Sequence, residues 1–93
     1  MPRPLTPLVI PDGAPLSPEQ AFGLVLRERR LALDLTLEDL ESHTQMSAAN
    51  ISRIERGLTQ VGLRGIIHLA ESVKMEPGDL LNEVVKRTRK RSA

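Results

Sequence analysis

Helix-start signals recur at short intervals along this chain, and that punctuation limits it to a set of short helices. At Ser17-Pro18-Glu19-Gln20 a capping Ser is followed by Pro at the first helical position and by Gln three residues after the cap, the capping-box arrangement. The spacing predicts a first helix from here to near Asp34, with Phe22, Leu26 and Leu33 on one apolar stripe. Arg30 interrupts that stripe, and a guanidinium there demands a partner. Thr36 with Asp39 repeats the capping pattern and opens a second helix through Leu40 to about His43. Ser47 caps a third, running to Arg56 and closed by Gly57, which enters the left-handed conformation without steric cost. Beyond a loop over 58–62, Leu63, Ile66, Leu69, Ala70 and Val73 mark a fourth helical face despite Gly65. Pro77 then starts a fifth helix whose apolar face is Leu80, Leu81, Val84 and Val85. The expectation is an all-α chain: a compact domain of five helices without a strand.

Outside this region the composition changes. Prolines at 2, 4, 7, 11 and 15 exclude a helix from residues 1–16, which therefore form an extended arm. Its apolar Leu8-Val9-Ile10 segment reads either as part of a disordered tail or as a segment that docks as an edge strand or against a partner protein. Residues 17–85 form the domain, and 86–93 form a basic tail without apolar periodicity, expected to be solvated. At 93 residues there is room for one domain with a modest core. Cysteine is absent, so no disulfide or thiolate metal site supports the fold, and a cytoplasmic location fits. No stretch has the length and apolarity of a membrane span, so a membrane role is not expected.

Charge is unevenly placed. Formal net charge is +1, yet residues 1–85 carry eight basic against twelve acidic groups, a balance of minus four. Lys86, Arg87, Arg89, Lys90 and Arg91 restore the total. Such a tail is either a solvated terminus or a set of cations that follows a phosphate backbone. Phe22 is the only aromatic residue, so the stacking platforms of RNA-recognition modules and single-strand binders are missing. Any nucleic acid bound should be duplex DNA.

A helix, a tight turn and a second helix form the unit in which the second helix enters a major groove. Here the sequence is more specific than spacing alone. Leu26-Arg27-Glu28-Arg29-Arg30, Leu35-Thr36-Leu37-Glu38-Asp39-Leu40, Ile51-Ser52-Arg53-Ile54-Glu55-Arg56-Gly57 and Leu63-Arg64-Gly65-Ile66-Ile67-His68-Leu69-Ala70 follow one another in order. With Met75-Glu76-Pro77-Gly78-Asp79-Leu80-Leu81 they resemble the successive blocks of the Xre (lambda-repressor-like, Cro-C1-type) helix-turn-helix family over roughly residues 20–82. The resemblance implies a structural ion pair between Arg30 and Glu55. It implies base and backbone contacts from Ser47, Ala48, Ala49, Asn50, Ser52 and Arg53, and phosphate contacts from Thr36, Leu37, Arg56, Thr59 and Gln60. Arg53 has the reach to pair with guanine N7 and O6, Asn50 suits adenine or a phosphate, and the alanine methyls suit thymine methyls. Three positions depart from the family pattern: Leu37 where Gln is frequent, Glu41 where Ala is usual, and Gln45 where Gly is usual.

Leu35, Leu40, Ile51, Ile54, Leu63, Ile66, Leu69, Val73 and Leu80 are the expected core. Leu81, Val84 and Val85 exceed what five helices need; they form the seam of a homodimer or merely finish the monomer core. His43 and His68 have no metal-ligand spacing, no nucleophile is flanked by His and an acid, and neither a cofactor nor catalysis is expected. The resemblance thus implies a sequence-specific duplex-DNA regulator, a repressor or autoregulator on a palindromic operator. The acidic body and bare Ala48-Ala49 keep open a second role, a protein-interaction module such as an anti-activator that binds a regulatory protein.

Overall fold

Every helix of the structure, a computed structural model that describes residues 16–90, begins at or next to the predicted start. They are α1 (Pro18–Ala32), α2 (Leu37–Thr44), α3 (Ala48–Glu55), α4 (Leu63–Ser72) and α5 (Pro77–Lys90), with no strand among the described residues. Ser17 and Thr36 both close reciprocal capping boxes: Ser17 Oγ accepts from the Gln20 N–H at 3.0 Å while the Ser17 N–H donates to Gln20 Oε1 at 2.9 Å. Gly57 follows α3 at φ +73°, as its role as a stop requires.

The long helices α1 and α5 pack on each other. α1 also carries α3, while α2 lies on α3 and α4, and α4 returns to α5. Leu26, Leu40, Ile51, Ile54, Leu69, Val73 and Leu80 are fully buried where these helices meet. Burial of each such side chain contributes about 1.5–3 kcal/mol. The α1–α3 approach depends on Gly23: a Cβ there would overlap the carbonyl oxygens of Ile54 and Glu55. Arg29 ties α1 to the end of α4, its Nε donating to the Val73 carbonyl at 3.0 Å and Nη2 to that of Lys74 at 3.3 Å. These carbonyls lie at the negative end of the α4 dipole.

The partner demanded by Arg30 is Glu55. Nε donates to Glu55 Oε2 at 2.7 Å and Nη2 to Oε1 at 3.0 Å, while Nη1 donates to the Leu35 carbonyl at 3.0 Å. The side chains are only 11% and 4% exposed. A single guanidinium thus joins α1, α3 and the connection into α2, with its donors used on both sides.

Several expectations are corrected. Leu63 is 73% exposed rather than core: burial rises along α4 from Leu63 through half-buried Ile66 to fully buried Leu69, so the first turn overhangs the core. Val84 is 6% exposed and belongs to the monomer core, whereas Leu81 and Val85 are 39% and 43% exposed. Leu16, assigned to the arm, is buried in the core; residues 1–15, including Leu8-Val9-Ile10, lie outside the described residues. Finally, α5 continues into the expected tail as far as Lys90. Arg87 donates to Glu28 of α1 at 2.7 and 3.2 Å, Arg87 and Lys86 both lie near Glu83, and the hydrogen bond to Glu28 raises the Arg87 pKa above its ordinary value. Charge pairs rather than an apolar stripe extend this helix. Residues 91–93 lie outside the described residues.

Glu55→Ala leaves the half-buried Arg30 guanidinium without its counter-ion and should cost about 3–5 kcal/mol, lowering the thermal midpoint by more than about 10 °C. Arg30→Met combined with Glu55→Leu should recover most of that loss. Thermal melts followed by circular dichroism check both, and a Glu55→Ala melt matching the parent would contradict the role given to the pair.

Candidate nucleic-acid interface

The turn between α2 and α3 is held from inside. Buried Thr44 donates its hydroxyl to the Leu40 carbonyl at 2.8 Å and accepts from the Met46 N–H at 3.1 Å. Gln45 occupies the left-handed region at φ +66°, the conformation for which Gly is the unstrained residue. Its side chain is exposed, so its bulk is tolerated while its backbone strain remains.

The rotation of α3 follows from which residues it buries. Ile51, Ile54 and Glu55 face inward. A helix turns about 100° per residue, so an inward Glu55 puts Arg53 about 200° away, on the solvent side. Ala49, Asn50 and Arg53 are accordingly exposed on one outer face, with Ser47 exposed at its head and Ala48 and Ser52 half-buried at its edges. The six residues assigned to base contact are therefore brought together. Arg53 makes no hydrogen bond or ion pair through its side chain with another described residue.

The assigned phosphate positions are less uniform. Thr36 is exposed at the start of α2, but Leu37 is half-buried and packs against the core, so only its backbone N–H remains to meet a phosphate. Thr59 is half-buried and Gln60 exposed in the loop after α3, and Arg56 Nε leans back on the Ser52 carbonyl at 3.4 Å. Carboxylates crowd both helix starts. The Thr36 N–H donates to Asp39 Oδ2 at 2.8 Å, which with the Thr36 side chain holds the Asp39 carboxyl below its ordinary value. Glu41 Oε1 accepts from the Ala48 N–H at 3.2 Å, the first amide of α3, and Ser47 Oγ accepts from the Asn50 N–H at 3.1 Å. Helix starts that attract anions are thus already served by acidic or hydroxyl oxygens. Glu41, a departure from the family pattern, is the residue that answers the α3 dipole.

Sequence reasoning missed the neighbours of this face. A polar cleft beside Asn50 and Gln60 is lined by Arg64 from the first turn of α4 and by both histidines, His43 and His68. Arg64, like Arg53, has no polar side-chain partner among the described residues. Its position just after the Thr59-Gln60 loop was the available signal, but only the packing of α4 on α2 shows that it borders α3. Among the described residues no group of three or more His, Cys, Asp or Glu could hold a metal ion, and no helix is long and apolar enough to cross a membrane.

This arrangement has counterparts among known proteins. Residues 21–84 match the helix-turn-helix domain family. The restriction-modification controller protein C.AhdI from Aeromonas hydrophila is 34% identical, with 66% of this chain and 92% of that chain covered and a TM-score of 0.63. The clp gene regulator ClgR from Corynebacterium glutamicum is 23% identical over 81% of this chain and 96% of its own, at a TM-score of 0.74. A point mutant of the restriction-modification controller protein C.Esp1396I is 18% identical over 83% and 98%, at 0.72. At such identities the last two speak for the fold alone. A search of curated protein sequences gave no match. The capped five-helix body, the buried pair behind α3 and the match over residues 21–84 agree, and the chain belongs to the helix-turn-helix domain family, as its Xre-type blocks implied.

Proposed function

We propose that this chain is a DNA-binding transcriptional regulator, a repressor or autoregulator that binds a palindromic operator as a homodimer. The observation that carries this reading is the outer face of α3, where Asn50 and Arg53 stand exposed on a helix whose opposite side is locked into the core. Both side chains suit base edges: Arg53 the acceptors of guanine, Asn50 the donor and acceptor of adenine. Ala49 adds a methyl surface for thymine. Arg64 and Gln60 border the face and supply backbone contacts that position it. The 34% identical neighbour, described as a restriction-modification controller protein, supports the same role. One domain covers one half-site, and a twofold pair covers a palindrome. Exposed Leu81 and Val85 on α5 are the residues proposed for that pairing.

A second reading has its own observation. The carboxylates of Glu38, Asp39 and Glu41 ring the starts of α2 and α3, and they oppose phosphate at the sites where helix dipoles would otherwise favour it. That charge suits a protein-interaction module that engages a regulatory protein.

Selection from random duplex DNA at moderate salt should enrich a palindromic site. Arg53→Ala should then weaken binding to it by about 1–3 kcal/mol, roughly 5- to 150-fold. No enrichment at all would favour the protein-binding role. Glu41→Gln keeps an acceptor for the Ala48 N–H but removes the charge, and should raise affinity for non-specific duplex about two- to fivefold at low salt in a fluorescence anisotropy titration. Equal affinities would remove Glu41 from the interface. Sedimentation should show a concentration-dependent dimer that Leu81→Asp with Val85→Asp abolishes; a monomer mass at all concentrations would refute the pairing.

A further inference from the structure

An apolar groove opens on the side of the domain where the chain enters α1. Phe22 and Val84, each 6% exposed, are its most buried lining residues; half-buried Val61 and Ile66 and the exposed Leu81 add to its apolar lining. The cavity is about 260 Å³, below the usual range for small-molecule pockets and far short of what a folded partner needs. Among the described residues its lining includes no basic group and one acidic one, Glu19. It suits a few aliphatic side chains on a short segment.

We propose that the chain's own Leu8-Val9-Ile10 segment occupies this groove. Three facts point to that occupant. First, the chain arrives there: Leu16 is buried in the core, and Pro18, the first residue of α1, itself lines the groove. Second, the tether suffices, because the six steps from Ile10 to Leu16 span up to about 20 Å when extended. Third, the segment matches in chemistry. It is three consecutive aliphatic residues, and the whole of residues 1–15 carries only Arg3 and Asp12 as charged side chains. Pro7 and Pro11 bracket it and fix φ on either side, so less conformational entropy is lost on docking than for an ordinary linker.

Docking has a consequence beyond covering Leu81. Thr59 and Gln60, in the loop between α3 and α4, also line the groove. A seated arm therefore braces the loop beside the outer face of α3, and a homodimer formed on α5 meets the arm as part of its surface. The proposal itself does not depend on DNA binding.

Phe22 makes the test unambiguous, since selective labelling of this single phenylalanine separates any methyl-to-ring nuclear Overhauser effect at its ring from those at His43 and His68. In the full 93-residue chain with labelled methyl groups, Ile10 or Val9 methyls should show such an effect to the Phe22 ring at low and high protein concentration. Ile10→Ser and removal of residues 1–12 should each abolish it and shift the Leu81 and Val84 methyl resonances alike, with the helical circular dichroism kept. Absence of the effect together with unmoved Leu81 and Val84 methyls on truncation would overturn the proposal. So would an effect seen only between differently labelled chains, which would place a second copy's arm in the groove.

Discussion

The Arg30–Glu55 pair is the interaction on which the geometry of this molecule rests. Its cost is considerable, because two charges are withdrawn from water, and it is offset only by bidentate geometry and a third hydrogen bond to the Leu35 carbonyl. What the pair supplies is register. Glu55 ends α3 and Arg30 lies near the end of α1, so closing them together sets how far α3 is rotated about its axis. Arg53 is sent outward by the same choice that sends Glu55 inward. Gly23 completes the constraint by letting the backbones of α1 and α3 approach where any side chain would hold them apart. The outer face of α3 is thus aimed by residues on the opposite, inward side of the helix.

What that face offers is spare. Two alanines, one amide and one guanidinium give few hydrogen bonds to base edges, and the helix starts beside them are already satisfied by Ser47, Glu41 and the Thr36–Asp39 box. A duplex bound here would be held by Arg53 and Arg64 more than by helix dipoles, and its sequence discriminated by a small number of contacts together with DNA shape. The basic end of the chain contributes differently from its composition: Arg87 fastens α5 to α1 through Glu28, so part of that charge serves the fold.

The features legible in the sequence are the ones that local chemistry decides. Capping boxes involve residues three apart, and both stand in the structure as the Ser17-Gln20 and Thr36-Asp39 spacing indicates. A charge on an apolar stripe announced that Arg30 needs a partner, although the identity of Glu55 came from the Xre-type resemblance. What escaped depends on packing between distant segments. Periodicity placed Leu63 on a core face without showing that its turn overhangs the core, and it could not show that Arg29 closes the end of α4. It stopped α5 too early because the last turns are held by charge pairs. It also drew no link among His43, His68 and Arg64, whereas the packing of α4 on α2 brings them to one cleft beside Asn50.

The central claim is that the face opposite the buried pair contacts duplex DNA. An amide-resolved NMR titration of the chain with a short duplex tests it most directly. The account predicts that the largest shifts fall on Ser47 to Arg53, with smaller ones at Thr59, Gln60 and Arg64, and that resonances of α1 stay in place. Unchanged spectra, or shifts gathered on α5 while α3 is silent, would contradict it.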